Sequence, residues 1–149
     1  DALLYPREGL LIGGFGPRTD EWIYEEVSER FQLNILRLEL TTDSFYHLDT
    51  CLAIVNDTTA VLCPTAIEKT GREALYTLFE NVIEISEAEA KRFFSCNCHS
   101  PDGKHVLFQM GDSDFYRKLE GIGLKPILSN TSEFIKAGGS VFCLKMMVY

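Results

Sequence analysis

Cys143, His47 and Asp49 are the residues of this chain whose types and spacing could carry covalent chemistry. Cys143 follows closely on the small turn Ala137-Gly138-Gly139-Ser140, where backbone N–H groups are free to donate to a developing negative charge. A thiol at the head of an apolar strand reads either as a nucleophile facing a cleft or as an ordinary buried cysteine. His47 and Asp49 lie far upstream, on either side of Leu48. In an extended segment, residues two apart point the same way, so imidazole and carboxylate can face one cleft as a base beside a cation-binding group. The competing reading is a solvated loop whose aspartate serves as a cap.

Arg18 sits in Gly16-Pro17-Arg18-Thr19, a stiff loop that can present a guanidinium fork to a carboxylate. A surface arginine at the start of a helix fits the same pattern. Cys51 and Cys63 fall inside apolar strands and read as structural. Cys96-Asn97-Cys98-His99 holds zinc-type ligands, but only one residue separates the cysteines, and no second Cys/His cluster completes four ligands. No metal site is expected. Gly13-Gly14-Phe15-Gly16 lacks the spacing of a nucleotide-binding loop, and Glu84 to Glu89 reads as charge on a solvated helix face.

These side chains need elements to position them. Apolar strands are expected over residues 1–5 and 10–14 around the turn Pro6-Arg7-Glu8-Gly9. A helix capped by Thr19 or Asp20 should run to about Arg30 with Trp22, Ile23, Val27 and Phe31 on one side, and a strand should follow over 34–38. The order recurs with strands over 50–55 and 59–63, a helix over 71–79 and a strand over 82–85. An extra helix over 87–94, capped by Ser86, comes next. A third round has strands over 96–99 and 104–109 about Ser100-Pro101-Asp102-Gly103, a helix over 114–120 and a strand over 124–128. Residues 140–148 read as the first strand of a fourth round.

The expected fold is therefore α/β, built of repeated ββαβ units over about 1–40, 46–86 and 95–128, with the start of a further unit at 138–149. The turns recur at roughly fifty-residue intervals, a period typical of propeller-like or solenoid arrays. Three units and a fragment would form an arc, which suggests that N-terminal units of a longer polypeptide are absent. The abrupt opening at Asp1 agrees with that expectation.

The 149 residues suffice for one domain with a real core, and 24% charged residues is ordinary for a globular protein. A net charge of -8 repels a phosphate backbone, so no nucleic-acid partner is expected. No apolar run is long enough to span a bilayer, so no membrane association is expected. Five cysteines do not close a disulfide framework, which favours a reducing, cytoplasmic location.

Taken in order, Gly14-Phe15-Gly16-Pro17-Arg18-Thr19, Tyr46-His47-Leu48-Asp49-Thr50 and Ala137-Gly138-Gly139-Ser140-Val141-Phe142-Cys143-Leu144 resemble the guanidino-group modifying superfamily. This is the pentein fold of arginine deiminases, dimethylarginine dimethylaminohydrolases, arginine dihydrolases and amidinotransferases. The resemblance runs along nearly the whole chain. It implies an α/β propeller of five units, of which about three are present here. It further implies that Cys143 is the nucleophile, His47 the general acid/base and Asp49 a carboxylate gripping the guanidinium. Arg18 would pair with a substrate carboxylate, and Asp1 would be an acidic position near the substrate.

The implied activity is a cysteine-dependent hydrolase acting on arginine or a methylated arginine through a covalent amidino-enzyme intermediate, with no cofactor. An amidinotransferase passing the amidino group to an amine, or a non-catalytic binding module, are the alternatives. The partner is a small guanidino substrate. The absent N-terminal half or a homo-oligomer partner would be needed to complete the ring, and the isolated chain would then be inactive, associated, or both.

Overall fold

The structure, a computed structural model, describes residues 1–5, 7 and 9–146. Its elements run β1 (Ala2–Leu4), β2 (Leu10–Phe15), α1 (Ile23–Phe31), β3 (Asn34–Glu39), a 3-10 turn at Leu48–Thr50, β4 (Leu52–Ile54) and β5 (Thr59–Leu62). A second 3-10 turn at Pro64–Ala66 leads to α2 (Lys69–Leu78), β6 (Asn81–Glu84) and α3 (Glu87–Phe93). The rest is β7 (His105–Gln109), α4 (Ser113–Gly121), β8 (Lys125–Ser129), α5 (Ser132–Ile135) and α6 (Val141–Leu144). No described helix is long and apolar enough to cross a membrane.

The strands form three small sheets. β1 pairs antiparallel with β2, and β2 pairs parallel with β3. β4, β5 and β6 repeat that pattern. A parallel pair cannot be closed by a tight turn, so a helical crossover follows the middle strand in each case, α1 in the first sheet and α2 in the second. β7 and β8 are likewise parallel across α4. Here the antiparallel partner shrinks to one bridge, with His99 and Leu107 exchanging hydrogen bonds of 3.0 and 2.8 Å.

Neighbouring sheets are joined through their turns. Tyr5 donates its hydroxyl to the Asp57 carbonyl at 2.8 Å, and Asn56 donates its side-chain amide to the Gly103 carbonyl at 3.0 Å. A backbone bridge between Leu40 and Ile67 closes a second seam between the first and second sheets. Apolar residues from all three sheets meet in one core, in which Ile12, Leu38, Leu62, Leu75, Phe108 and Phe115 are buried. All four residues of β5 are buried, because the strand is covered on both faces.

Helix starts follow local chemistry. Glu68 accepts the N–H groups of Thr70 and Gly71 ahead of α2, Ser86 and Glu89 form a capping box on α3, and Asp112 accepts Phe115 N–H at 2.9 Å on α4. The first helix departs from expectation. Neither Thr19 nor Asp20 caps it with a side chain; Trp22 occupies the cap position, and Thr19 directs its hydroxyl to the Asp1 carboxylate instead. Trp22 and Phe31, expected on the covered side, are 60% and 62% exposed, and Tyr24 is the buried residue.

Three expected strands also change character. Thr50 belongs to a 3-10 turn, so β4 begins only at Leu52. Residues 96–99 contribute a single bridge, because Phe94 takes a left-handed conformation and Asn97 N–H turns back onto the Phe94 carbonyl at 2.8 Å. Residues 141–144 form α6, with Leu144 N–H bonded to the Ser140 carbonyl at 3.1 Å. The last three residues of that expected strand's neighbourhood, 147–149, lie outside the described residues.

Tyr24 ties α1 to the sheet, its hydroxyl lying 2.6 Å from the Asp1 carbonyl and 2.7 Å from that of Gly14. Gly13 makes room for this ring: a Cβ there would lie 2.4 Å from Tyr24 Cε1. Gly13→Ala is expected to cost about 1–3 kcal/mol of stability by overpacking. Urea denaturation checks this, and an unchanged midpoint would contradict it.

Candidate active site

A cleft of about 190 Å³ is lined by Asp1, Ala2, Leu3, His47, Asp49 and Phe142. It lies where the start of β1, the 3-10 turn before β4 and the start of α6 converge. Asp1 is fixed there by two donors, Leu48 N–H at 2.7 Å to Oδ1 and the Thr19 hydroxyl at 3.2 Å to Oδ2. Gly14 permits this approach, since a Cβ on it would stand 2.9 Å from Leu48 Cβ and 3.3 Å from Asp1 Oδ1.

His47 is extended, while Asp49 sits within the 3-10 turn that follows. The expected reason for their sharing a cleft, alternation along one extended segment, is therefore replaced by a change of backbone between them. The turn is held by Thr50, whose backbone N–H and hydroxyl both reach the His47 carbonyl, at 3.0 and 2.6 Å. Tyr46 braces it from the other side by donating its hydroxyl to the Gly138 carbonyl. Gly138 has φ of 90°, and a Cβ on it would lie 2.5 Å from the Tyr46 oxygen. The segment carrying His47 and Asp49 is thus bonded directly to the turn that carries the cysteine.

Cys143 lies in α6 rather than at the head of a strand, and it is the exposed member of the five cysteines. Its Sγ donates to Asp49 Oδ2 at 3.1 Å, a contact spanning 94 residues of chain. Partial enclosure of the sulfur, and the Asp49 carboxylate that accepts its proton and repels its anion, hold the thiol above its ordinary pKa. Hydrogen bonds from Asn97 and from the backbone N–H of Ser140 act in the opposite direction. The other four thiols are buried; burial pushes Cys98 up to about 12 and raises Cys51, Cys63 and Cys96 as well.

Arg18 is not among the residues lining this cleft. Its guanidinium stacks over the Tyr46 ring at 5.4 Å from the centroid, next to His47, whose own ring lies 5.0 Å from that of Tyr46. Lys145 Nζ lies 3.4 Å over the Phe142 ring and 3.5 Å from His99 Nδ1.

Asn97 is the site residue that sequence reading missed. It is fully buried, and its carboxamide touches both Asp49 and Cys143. Reading Cys96-Asn97-Cys98-His99 only for metal ligands drew attention away from its one neutral polar member. The available signal was a carboxamide between two residues of a commonly buried type, because such a group must find partners inside.

The family described as "N,N dimethylarginine dimethylhydrolase, eukaryotic" matches residues 10–149. The N(G),N(G)-dimethylarginine dimethylaminohydrolase of Mycobacterium tuberculosis is 34% identical over 139 residues, covering 93% of this chain and 45% of that protein. The bifunctional arginine dihydrolase/ornithine cyclodeaminase AgrE of Nostoc sp. is 30% identical over 151 residues, covering 99% of this chain and 21% of that protein. The chain thus spans half or less of these relatives' lengths. Among solved structures, the product-bound N-terminal domain of ArgZ, a cyanobacterial arginine dihydrolase, superposes with a TM-score of 0.88 at 26% identity, over 97% of this chain and 53% of that one.

The Cys143–Asp49 contact makes a signed prediction. Removing the charge with Asp49→Asn should lower the thiol pKa, so that iodoacetamide alkylation of Cys143 becomes faster at neutral pH and its midpoint falls by about one pH unit. A midpoint that stays or rises in the pH profile of alkylation would contradict this assignment of the electrostatics.

Proposed function

Since this chain belongs to the N,N-dimethylarginine dimethylhydrolase family of the guanidino-group modifying superfamily, we propose that it hydrolyses the guanidinium of a methylated arginine, or of arginine itself, with Cys143 as nucleophile. The observation that carries this reading is the 3.1 Å contact between Cys143 Sγ and Asp49 Oδ2 beside a cleft lined by two carboxylates and an imidazole. Asp1 and Asp49 are acceptors suited to the N–H groups of a planar cation, and His47 is the titratable group suited to proton transfer.

The reaction follows from those groups. A guanidinium is a delocalised cation and a poor electrophile, so carboxylates must localise its charge and hold its carbon before the sulfur. The resting thiol keeps its proton and donates it in a hydrogen bond to Asp49. When the cationic substrate engages that carboxylate, the repulsion that disfavoured a thiolate is offset, and the thiol proton passes on to solvent. Thiolate attack on the guanidinium carbon forms the C–S bond and moves a C–N π pair onto nitrogen. His47 protonates the departing amine as the C–N bond breaks, leaving a covalent amidino-enzyme intermediate. Water deprotonated by His47 then attacks the same carbon, the C–S bond breaks, and a ureido product leaves with the thiolate restored. One water is consumed and one amine released.

Arg18 is proposed to receive the substrate carboxylate, because an arginine fork suits it and its guanidinium stacks over Tyr46, whose ring lies 5.0 Å from that of His47. Relatives named as dimethylarginine dimethylaminohydrolase and arginine dihydrolase support the hydrolytic outcome over transfer to an amine. A structure of ArgZ covalently bound to a reaction intermediate supports a covalent course.

Incubation with asymmetric dimethylarginine should yield citrulline and dimethylamine, read by mass spectrometry, and arginine serves as the competing substrate. Cys143→Ala should abolish turnover, and His47→Ala should lower kcat by about a hundredfold or more. Undiminished turnover in either folded variant would refute the corresponding role.

A further inference from the structure

Asn97 is 0% exposed, between Cys96 at 0% and Cys98 at 1%. A carboxamide carries two N–H donors and a carbonyl acceptor, and in such surroundings each must be satisfied. Its Oδ1 accepts the backbone N–H of Ser140 at 3.0 Å and that of Cys143 at 3.3 Å. Its Nδ2 faces three acceptors: the Asp49 carbonyl at 2.8 Å, Asp49 Oδ2 at 3.2 Å and Cys143 Sγ at 3.2 Å. Exchanging the amide's ends would set a carbonyl against the carboxylate and an NH2 against two N–H donors, so the orientation follows from the partners.

Two hydrogens cannot fully serve three acceptors. The carbonyl takes one. The other is shared between a carboxylate oxygen and a sulfur that hold the thiol proton between them at 3.1 Å. Once the proton leaves and Asp49 turns to a cationic ligand, that N–H is left facing the sulfur anion, where a charge-assisted bond is stronger than the neutral one it replaces. The same side chain meanwhile fixes the spacing of Asp49 and Cys143, because it bonds the backbone of both.

We propose that Asn97 is the residue that positions Cys143 against Asp49 and donates a hydrogen bond to the thiolate. This rests on the reading of Cys143 as nucleophile. Asn97 does not line the cleft, so its loss acts on the sulfur and not on substrate affinity. The titratable groups around the sulfur are Asp49, His47 and Tyr46 on the segment before β4, Asp1 across the cleft, and Lys145 just beyond α6. Asn97 is a neutral donor among them, and its hydrogen bond acts to lower the thiol pKa against burial and Asp49.

Asn97→Asp tests this with little change of shape. It keeps an acceptor for the Ser140 and Cys143 N–H groups and replaces the donor by an oxygen. The midpoint of iodoacetamide alkylation of Cys143 is expected to rise by about one pH unit or more. In turnover, kcat should fall about tenfold or more while KM stays within about twofold. Asn97→Ala, which removes both N–H donors without adding charge or another donor, should move the midpoint in the same direction. In the wild-type protein, the Asn97 side-chain amide proton resonance should titrate with the alkylation midpoint and lose that titration in Cys143→Ala; this readout does not require a variant at position 97 to fold. An unshifted midpoint in a folded variant, or an amide resonance indifferent to Cys143 ionisation, would overturn the proposal. Alkylation reports the thiol whether or not any guanidino compound is turned over. Wild-type inactivity toward guanidino substrates would therefore strike the proposed function and leave Asn97 to be judged by the thiol alone.

Discussion

A carboxamide shut away from water must spend all its hydrogen-bonding capacity on its neighbours, and Asn97 does so on chain segments that are otherwise remote. The segment before β4 and the turn into α6 lie more than forty residues to either side of it, and both are bonded to its one side chain. Because an unpaired buried amide costs about 1–3 kcal/mol, these segments cannot drift apart independently. The approach of Cys143 to Asp49 follows from that constraint. The buried chain of Ser140, Thr131 and Gln109 continues from it, with Ser140 Oγ 2.7 Å from Thr131 Oγ1 and Thr131 Oγ1 2.6 Å from Gln109 Oε1.

Carboxylate placement completes the electrostatic picture. Asp1 and Asp49 face one cleft, and each is held by donors from neighbouring segments, Asp1 by Leu48 and Thr19 and Asp49 by Asn97. The Asp49 carboxylate in contact with the thiol favours the protonated sulfur, and a cation bound to that carboxylate would relieve the effect. In the proposed reaction, the ionisation of Cys143 is thus coupled to the charge of the substrate. A neutral ligand would leave the thiol proton where it is.

Much of the framework was legible from period and turn chemistry. The helices after β2, β5 and β7 lie close to where apolar spacing put them, although the expected caps Thr19 and Asp20 do not cap the first, and the Ser86 cap on α3 appears as a full capping box. Cys143, His47, Asp49 and Asp1 were all singled out, and three of the four line one cleft while the fourth bonds to it through Asp49. Arg18 was singled out as well, yet it stacks on Tyr46 outside the lining. Trp22 shows the limit of periodicity, since an apolar residue at the cap of a helix can look inward by pattern and still face solvent.

Spacing within a few residues sufficed for the α/β order of elements, the glycine turn ahead of Cys143 and the proposed set of thiol, imidazole and carboxylate side chains. That residues 141–144 wind into a helix, that Asp49 sits in a 3-10 turn and that Asn97 joins both to one amide came from long-range packing. The N–H groups of Ser140 and Cys143 converge on a single oxygen far away in the chain, and a helical turn brings two donors three residues apart onto it where an extended strand would separate them. Local propensity carries no record of such a distant acceptor, so the strand suggested by apolar residues gave way to the geometry of one buried hydrogen-bonding group.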